Sequence, residues 1–253
     1  MKISQEQIET YARDGQVTVE GVVSESELET LRQRTNQIAS GEVDYPRESL
    51  EYEPTAKGDE RSLESLRTIN KPSLDPFFLA HTRHSGILDI VEKLIGPDVM
   101  LFGDQFFIKP PGGIEKTYHQ DSPYFKIEPM ALVTAWTALD DVTLDNGCMY
   151  VVSGSQNGGP LEHSEPWMVG DRQDMKIPDS AIDLEKERPV TMKAGDVSFH
   201  HSLILHRSGL NNTSQFRRGY AVHFMTAKSI WTGDPADKPE YELLRGEAYE
   251  GCV

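Results

Sequence analysis

The feature of this sequence that most limits its fold is a change of pattern after Pro97. Before that point, apolar residues recur at helical intervals between residues that cap helices. After it, short apolar or alternating runs are separated by clusters of Gly, Pro, Asn and Asp, which is typical of a β-sandwich or a β-barrel. The sequence therefore predicts a mainly β protein with helices in its N-terminal part.

Capping residues delimit the predicted helices. The first helix covers Ser4–Arg13, and the second begins at Ser24, which has the spacing of a capping box, and stops at Gly41. An acidic cap at Asp75, followed by proline, begins one or two further helices. Residues 42–64 are polar, acidic and aperiodic, and they are predicted to form a surface loop.

Most of the predicted strands follow the change of pattern, in a chain of 253 residues that is expected to form one domain over 1–253. A long segment from Ser153 to Pro189, rich in Gly, Pro and charge, has the length of a functional lid or a disordered loop. The predicted strands are Gln16–Val22, Val99–Ile108, Ala131–Leu139, Met149–Val152, Val190–Met192, Val197–His201 and Arg218–Met225.

The composition limits the classes of partner. The chain carries 41 acidic and 25 basic residues, a net charge of −16, which argues against nucleic acid because phosphate binding needs clustered Lys and Arg. No apolar run approaches the roughly 18 residues of a membrane span, and the polar N-terminus has no signal or transit pattern. We therefore expect a cytoplasmic protein without nucleic-acid or membrane partners, as a monomer or a homodimer.

One short run, Thr117–Ser122, carries the first chemical signal. His119 and Asp121 are separated by one residue, so in a strand their side chains point to the same face. One nitrogen ligand and one carboxylate ligand make two-thirds of a site for non-haem iron. Such a pair is common by chance, and taken alone it favours an exposed histidine beside a turn aspartate by roughly three to one.

A third candidate ligand lies downstream. The β-like run that starts at Gly195 ends on His206, a turn signal with Ser208 follows, and Arg217 opens the next strand. A histidine and an arginine on neighbouring strands can face one pocket. Two histidines and a carboxylate leave three positions on Fe(II), of which 2-oxoglutarate fills two and dioxygen the last. The distal carboxylate of 2-oxoglutarate needs a fixed cation, and arginine binds carboxylates through two parallel hydrogen bonds.

At these residues the sequence resembles the phytanoyl-CoA dioxygenase family of iron(II)- and 2-oxoglutarate-dependent oxygenases. The resemblance runs from about Gly15 to the C-terminus and rests on the combined order and spacing of five segments, which are Phe107–Pro111, His119–Asp121, Ala135–Ala138, Asn146–Cys148 and His206–Arg217. The family implies a double-stranded β-helix, a cupin-like jelly-roll of two sheets over about 98–228, with the helical part over about 1–97 packed outside.

The resemblance also implies site residues. The iron ligands that it implies are His119, Asp121 and His206. The residues that it places against 2-oxoglutarate are Arg217, Ser208, Trp136, Gln105 and Lys71. Arg217 rather than Arg218 is the anchor because a phenylalanine precedes it, as in the family. Gln105 departs from the family, where methionine is common at that position.

The implied reaction is hydroxylation of a C–H bond in a small-molecule or acyl substrate, with 2-oxoglutarate converted to succinate and carbon dioxide and with ascorbate as a stimulant. Related halogenases have a small residue where Asp121 supplies a carboxylate, so hydroxylation is favoured over halogenation. Acyl-CoA is disfavoured, since no cluster of Lys and Arg matches the phosphates of coenzyme A. The loops 42–64 and 153–189 are expected to determine substrate selectivity.

Two other functions stay open at this point. The same three ligands fit a Zn(II)-dependent hydrolase, which leaves Arg217 and Ser208 without a role, and the fold also suits a non-catalytic ligand-binding protein. Three further residues have ordinary structural interpretations: His200 and His223 as core histidines, and Lys109 as a solvated lysine; strand parity with His206 also allows His200 to lie near the pocket.

Overall fold

The computed structural model describes residues 3–53, 62–169 and 172–253. The helices in these ranges are α1 (Gln5–Asp14), α2 (Glu25–Ser40), α3 (Pro76–Thr82) and α4 (Ser85–Ile95). The strands are β1 (Gln16–Val19), β2 (Leu50–Tyr52), β3 (Leu66–Asn70), β4 (Val99–Lys109), β5 (Lys116–His119), β6 (Ile127–Glu128), β7 (Val133–Ala138), β8 (Met149–Val152), β9 (Glu165–Val169), β10 (Arg172–Lys176), β11 (Glu187–Val190), β12 (Val197–His201), β13 (His206–Ser208), β14 (Arg217–Thr226), β15 (Ile230–Trp231) and β16 (Glu242–Arg245).

Two antiparallel sheets form the centre of the structure. The main sheet has the strand order β1-β12-β7-β14-β4-β3-β2, with β16 also paired to β4, and the second sheet has the order β11-β8-β13-β5. Strands β9 and β10 form a hairpin, and β6 pairs with β15. Strands that are distant in sequence are neighbours in both sheets, as in a jelly-roll. The predicted mainly β fold, a double-stranded β-helix with helices outside, is confirmed.

Strand β7 shows how the main sheet separates two environments. All six of its residues are buried, because both faces of the sheet are covered. Val133 and Ala135 point into an apolar core that includes residues of all four helices, whereas Trp136 on the opposite face belongs to a second core between the two sheets. The site therefore lies between the sheets, on the face turned away from the helices.

The helix caps form as the sequence predicts. The predicted capping box at Ser24 is present, a second one that was not predicted forms at Ser4, and α2 ends at Gly41 in the left-handed conformation. Asp75 accepts a hydrogen bond from the backbone N–H of Phe77 and so caps α3. None of the helices in the described ranges has both the length and the apolar character of a membrane-spanning helix.

Several predicted boundaries need correction. The segment 42–64 is not all loop, since β2 lies within it, and β3 follows without having been predicted; residues 54–61 lie outside the described residues. The edge strand β2 and its neighbour β3 carry polar residues on a partly open face, which hides the alternation of a strand. The segment 153–189 contains the hairpin β9–β10 and most of β11, with residues 170–171 outside the described residues.

Candidate metal centre

The histidines of the candidate centre are neighbours in the second sheet. His119 ends β5 and His206 begins β13, and the two residues face each other in register. Their ring centroids are 4.1 Å apart. Asp121 Oδ1 lies 3.9 Å from Nε2 of His119 and 3.7 Å from Nε2 of His206. The structure thus brings the three predicted ligands together, with one ligand atom of each within 4.8 Å of the others.

Asp121 reaches the centre by a different route from the one that strand alternation suggests. Strand β5 ends at His119, and Asp121 has helical backbone angles, φ −77° and ψ −48°, at the start of a 3-10 turn. Its backbone N–H donates to the carbonyl of Ser202, 2.9 Å away, which ties this turn to the loop before β13. The turn, rather than a shared strand face, directs the carboxylate towards the histidines.

The residue between the two ligands holds this turn. Gln120 is fully buried, and its side-chain amide donates to the carbonyls of Gly159, at 3.0 Å, and Leu203, at 2.7 Å. Its side-chain oxygen accepts from the backbone N–H of Leu161. Gln120 therefore satisfies three backbone groups of two other loops, and its buried amide is itself satisfied.

The histidine rings are oriented for metal binding. Nδ1 of His119 lies 2.8 Å from the carbonyl oxygen of Thr117, and Nδ1 of His206 lies 3.1 Å from that of Ile204. A carbonyl only accepts, so each Nδ1 carries a hydrogen and each Nε2 is the nitrogen that can bind a metal. Both Nε2 atoms are on the side of Asp121. Two imidazoles and one carboxylate are the donor set that non-haem iron(II) takes, and the residues present fit that ion.

The protonation states agree with this donor set. Burial, together with His206 and Lys116, lowers the pKa of His119 well below its usual value. Burial alone would raise the pKa of Asp121, but the nearby imidazoles of His206 and His200 outweigh it and lower the pKa far below its usual range. Asp121 is therefore ionised and His119 neutral, the forms that bind metal.

Two further side chains support Asp121 from the main sheet. The hydroxyl of Thr134 donates to Asp121 Oδ2 at 3.4 Å, and Nε2 of His200 lies 3.8 Å from the same oxygen. Nδ1 of His200 is buried without a hydrogen-bond partner. The interpretation of His200 and His223 as ordinary core histidines is wrong, because both line the cavity beside the candidate ligands. The strand register places both histidines at the site, since His200 on β12 and His223 on β14 lie on either side of Thr134 on β7.

Arg217 lies in the same cavity, against an aromatic ring. Its guanidinium carbon is 5.3 Å from the centre of the Trp136 ring, and its Nε is buried without a hydrogen-bond partner among the described residues. Burial lowers the pKa of Arg217 to about 10, so the side chain stays charged at neutral pH. A Cβ on Gly219 would lie 1.8 Å from Cζ2 of Trp136, so only glycine leaves room for this ring.

The other predicted co-substrate residues have different outcomes. Ser208 and Gln105 line the cavity, and Gln105 donates its side-chain amide to Asn70, 2.8 Å away. The structure does not bring Lys71 to the cavity. Lys71 is exposed in the left-handed conformation, φ 52°, at the cap of a 3-10 turn after β3. Lys71 is not among the residues that line the cavity, and the prediction for Lys71 needs this correction.

Lys109 was missed by the sequence reasoning. It is 7% exposed rather than solvated, and it lies opposite Arg217 in the register of β4 and β14. It shares a strand face with Gln105, because the two positions are four apart along β4, and this alternation was the available signal. The cavity that these side chains line has a volume of about 430 Å³.

Sequence comparisons relate the chain to known proteins. A family model described as phytanoyl-CoA dioxygenase (PhyH) matches residues 11–219. A probable phytanoyl-CoA dioxygenase of Caenorhabditis elegans is 29% identical over 236 residues, which cover 88% of this chain and 75% of that protein. The peroxisomal phytanoyl-CoA dioxygenase of Homo sapiens is 28% identical over 237 residues, which cover 88% of this chain and 68% of that protein.

Solved structures share the fold. EctD from S. alaskensis with bound Fe superposes with a TM-score of 0.74 at 20% identity, over 99% of this chain and 87% of that one. The epimerase SnoN from nogalamycin biosynthesis, in complex with Fe3+, alpha ketoglutarate and nogalamycin RO, has a TM-score of 0.71 at 22% identity, over 95% of this chain and 98% of that one. At these identities the likeness establishes the architecture alone.

Proposed function

We propose a function from the premise that this chain belongs to the phytanoyl-CoA dioxygenase family, whose model covers residues 11–219. The chain is an iron(II)- and 2-oxoglutarate-dependent dioxygenase, and we infer that it hydroxylates a C–H bond of a small molecule. One observation carries this inference: three metal-ligand atoms within 4.8 Å of one another share a cavity with a buried arginine.

The ligand residues have distinct tasks in this proposal. His119, Asp121 and His206 would hold the metal on one side and leave three positions for the co-substrate and dioxygen. When bound, iron(II) with 2-oxoglutarate supplies the dioxygen chemistry that hydroxylation of a C–H bond requires. Thr134 and His200 hold the carboxylate of Asp121 in place from the opposite sheet.

Arg217 would receive the distal carboxylate of 2-oxoglutarate. Within the described residues, no carboxylate forms an ion pair with Arg217, although its side chain is buried. A buried charge without a counter-ion is costly, so the side chain is poised for an anionic ligand. The ring of Trp136 fixes the guanidinium, and the Ser208 hydroxyl adds a hydrogen-bonding group.

The cavity favours a metabolite-sized substrate over a coenzyme A ester. Its volume of about 430 Å³ lies in the range of pockets for drug-sized ligands. Acidic side chains line it together with the basic ones, and two of the basic side chains, Lys116 and Arg207, are paired with Asp174 and Glu187. Among the described residues, these pairs neutralise two of the cations that could otherwise bind phosphates.

Succinate formation from 2-oxoglutarate tests the proposed function. We expect the wild type with Fe(II), ascorbate and air to form succinate, more so with a substrate from a panel of small metabolites than with acyl-CoA esters. His119→Ala and Arg217→Ala should lose this activity, the first with the metal and the second with the co-substrate. If the wild type forms no succinate with any panel member, or if activity follows Zn(II) instead, the proposal is wrong.

A further inference from the structure

Lys109 has an unusual position for a lysine. It ends β4, lies opposite Arg217 on β14, and is 7% exposed. Its Nζ donates to the hydroxyl oxygen of Ser208, 2.9 Å away, and to the carbonyl oxygen of Gly209. The amine is thus held at the end of the cavity to which we assign the distal carboxylate of 2-oxoglutarate.

Neighbouring residues hold the backbone of Lys109 in place and leave room for its side chain. The buried amide of Asn211 donates to the backbone carbonyls of Lys109 and Pro110, both at 3.0 Å. A Cβ on Gly147 would lie 2.8 Å from Cδ of Lys109 and 2.5 Å from the carbonyl oxygen of Gly209. Gly147, whose φ is +83°, therefore leaves the channel that the lysine stem occupies. The family-like segments Asn146–Cys148 and His206–Arg217 meet at this lysine.

Lys109 and Arg217 are both buried, and they lie opposite each other on paired strands. In the part of the chain that the structure describes, no carboxylate lies within ion-pair distance of Lys109 or of Arg217. Glu53 and Glu115 act on Lys109 only through longer-range attraction. Burying an amine beside a guanidinium is unfavourable unless a ligand compensates for it. The pair therefore points to an anion that binds between them.

We propose that Lys109 is the second basic group of the 2-oxoglutarate site, and that it takes up a proton from solvent when the distal carboxylate binds beside Arg217. Lys109 also prepares Ser208. Because the serine oxygen accepts from the amine, its single hydroxyl hydrogen is free to donate to the carboxylate. The inference rests on the proposed function and adds to it a residue and a protonation step.

The charges around Lys109 determine when the proton is taken up. Burial and the neighbouring Arg217 lower the pKa of Lys109 to about 6, against smaller opposing effects of Glu53, Glu115 and Cys148. The free protein at about pH 8 then holds a neutral amine, which accepts hydrogen bonds as well as donating them. A carboxylate within hydrogen-bonding distance favours the charged form and raises the pKa. Binding and protonation are therefore linked above about pH 6 and separate below it.

Calorimetry tests this inference without turnover. 2-Oxoglutarate is titrated into the Ni(II)-loaded protein in two buffers of different ionisation enthalpy, and the difference in heat gives the number of protons taken up. We expect close to one proton per 2-oxoglutarate at about pH 8 and close to none at about pH 5. Equal proton uptake at both pH values, or none at either, would overturn the inference, so measurements on the wild-type protein are enough to reject it.

Variants identify the group that takes up the proton. Lys109→Met should abolish the uptake at about pH 8 and weaken 2-oxoglutarate binding by roughly tenfold. Lys109→Arg, which stays charged, should bind without proton uptake. Lys126→Met, an exposed lysine over Trp231 outside the cavity, should behave as wild type. If Lys109→Met takes up as many protons as the wild type, the inference is wrong. If that variant fails to fold, the comparison at two pH values of the wild type with Lys109→Arg decides.

The outcomes separate this inference from the proposed function. If wild-type protein binds 2-oxoglutarate but Lys109→Met matches it in affinity and proton uptake, only the role of Lys109 is lost. If wild-type protein loaded with Ni(II) does not bind 2-oxoglutarate at all, the proposed function and the inference fail together.

Discussion

Nδ1 of His223 lies 2.8 Å from the hydroxyl oxygen of Thr134. That hydroxyl donates its single hydrogen to Asp121, so the hydrogen between His223 and Thr134 belongs to the imidazole. Asp121 is thus connected through Thr134 to a buried histidine on β14. These hydrogen bonds orient the carboxylate of Asp121, which lies in a turn rather than in a strand.

Thr134→Val tests this connection. Valine keeps the shape of threonine but removes the hydroxyl, so Asp121 loses its hydrogen bond and His223 its acceptor. We expect the affinity for Ni(II) to fall by about tenfold, as for other residues that support metal ligands. Ni(II) titration followed by protein fluorescence measures this, and Thr134→Ser, which retains the hydroxyl, should stay near the wild type. Equal affinities for the valine and wild-type proteins would contradict the connection.

Arg217→Lys tests the anchor for the co-substrate. A lysine keeps the charge but loses the two parallel hydrogen bonds of a guanidinium and the stacking on Trp136. We expect the KM for 2-oxoglutarate to rise by roughly tenfold or more. The matched control is Arg218→Lys, because Arg218 pairs with Asp140 at 2.7 Å outside the cavity. The same rise in KM for both variants would mean that position 217 has no special role.

Gly219→Ala tests the packing of Trp136. An alanine Cβ would lie 1.8 Å from Cζ2 of the ring, so Trp136 must move or the strands must separate. We expect the free energy of unfolding to fall by about 1–3 kcal/mol, as in other overpacked cores. Gly103 on the adjacent strand β4 has no atom within 4 Å of such a Cβ, so Gly103→Ala is the control. Denaturant titration compares the two variants with the wild type. If Gly219→Ala were as stable as Gly103→Ala, Trp136 would have to move aside at no cost.

His81 gives the structure a predictable dependence on pH. It is buried on the helix side of the main sheet, with Nε2 3.0 Å from Oγ1 of Thr137. Burial, with a smaller effect of His84, lowers the pKa of His81 to about 3. The unfolded chain protonates this ring below about pH 6.5, so between about pH 6.5 and 3 the unfolded state binds more protons than the folded state. The free energy of unfolding therefore falls as the pH falls through this window.

At about pH 5 the contribution of His81 should amount to a loss of roughly 2 kcal/mol relative to neutral pH. Urea denaturation of the wild type and of His81→Gln at both pH values measures it. The glutamine variant should show a shallower loss of stability on acidification, whatever its stability at neutral pH. Parallel losses in both proteins would mean that His81 is not the group responsible.

The parts of the fold that the sequence predicts are those with local signals. Capping residues such as Ser4 and Ser24 mark the helix ends, and Met149–Val152 and Val197–His201 are recovered with their observed bounds. Strand β3 has no such signal, because its residues are stabilised by pairing with β4 rather than by local propensity. The cytoplasmic location, the single-domain organisation and the absence of nucleic-acid partners stay predictions.

The site shows the same division between local and long-range information. The spacing of His119 and Asp121 indicates the centre, although a turn rather than a strand explains their convergence. The two lysines are harder to assign, since both have a family-like local context and only Lys109 contacts Ser208. Only the pairing of β4 with β14 puts Lys109 opposite Arg217, and that register joins residues that are far apart in sequence.

Strand β1 carries a consequence for any shortened form of this protein. Gln16–Val19 pair with Val197–His200 and form one edge of the main sheet. A fragment without β1 would leave the backbone groups of β12, which carries His200, open to pairing with another molecule. Such a fragment should therefore aggregate through this exposed edge. By covering β12, the N-terminal segment would prevent self-association and also support the strand that carries His200.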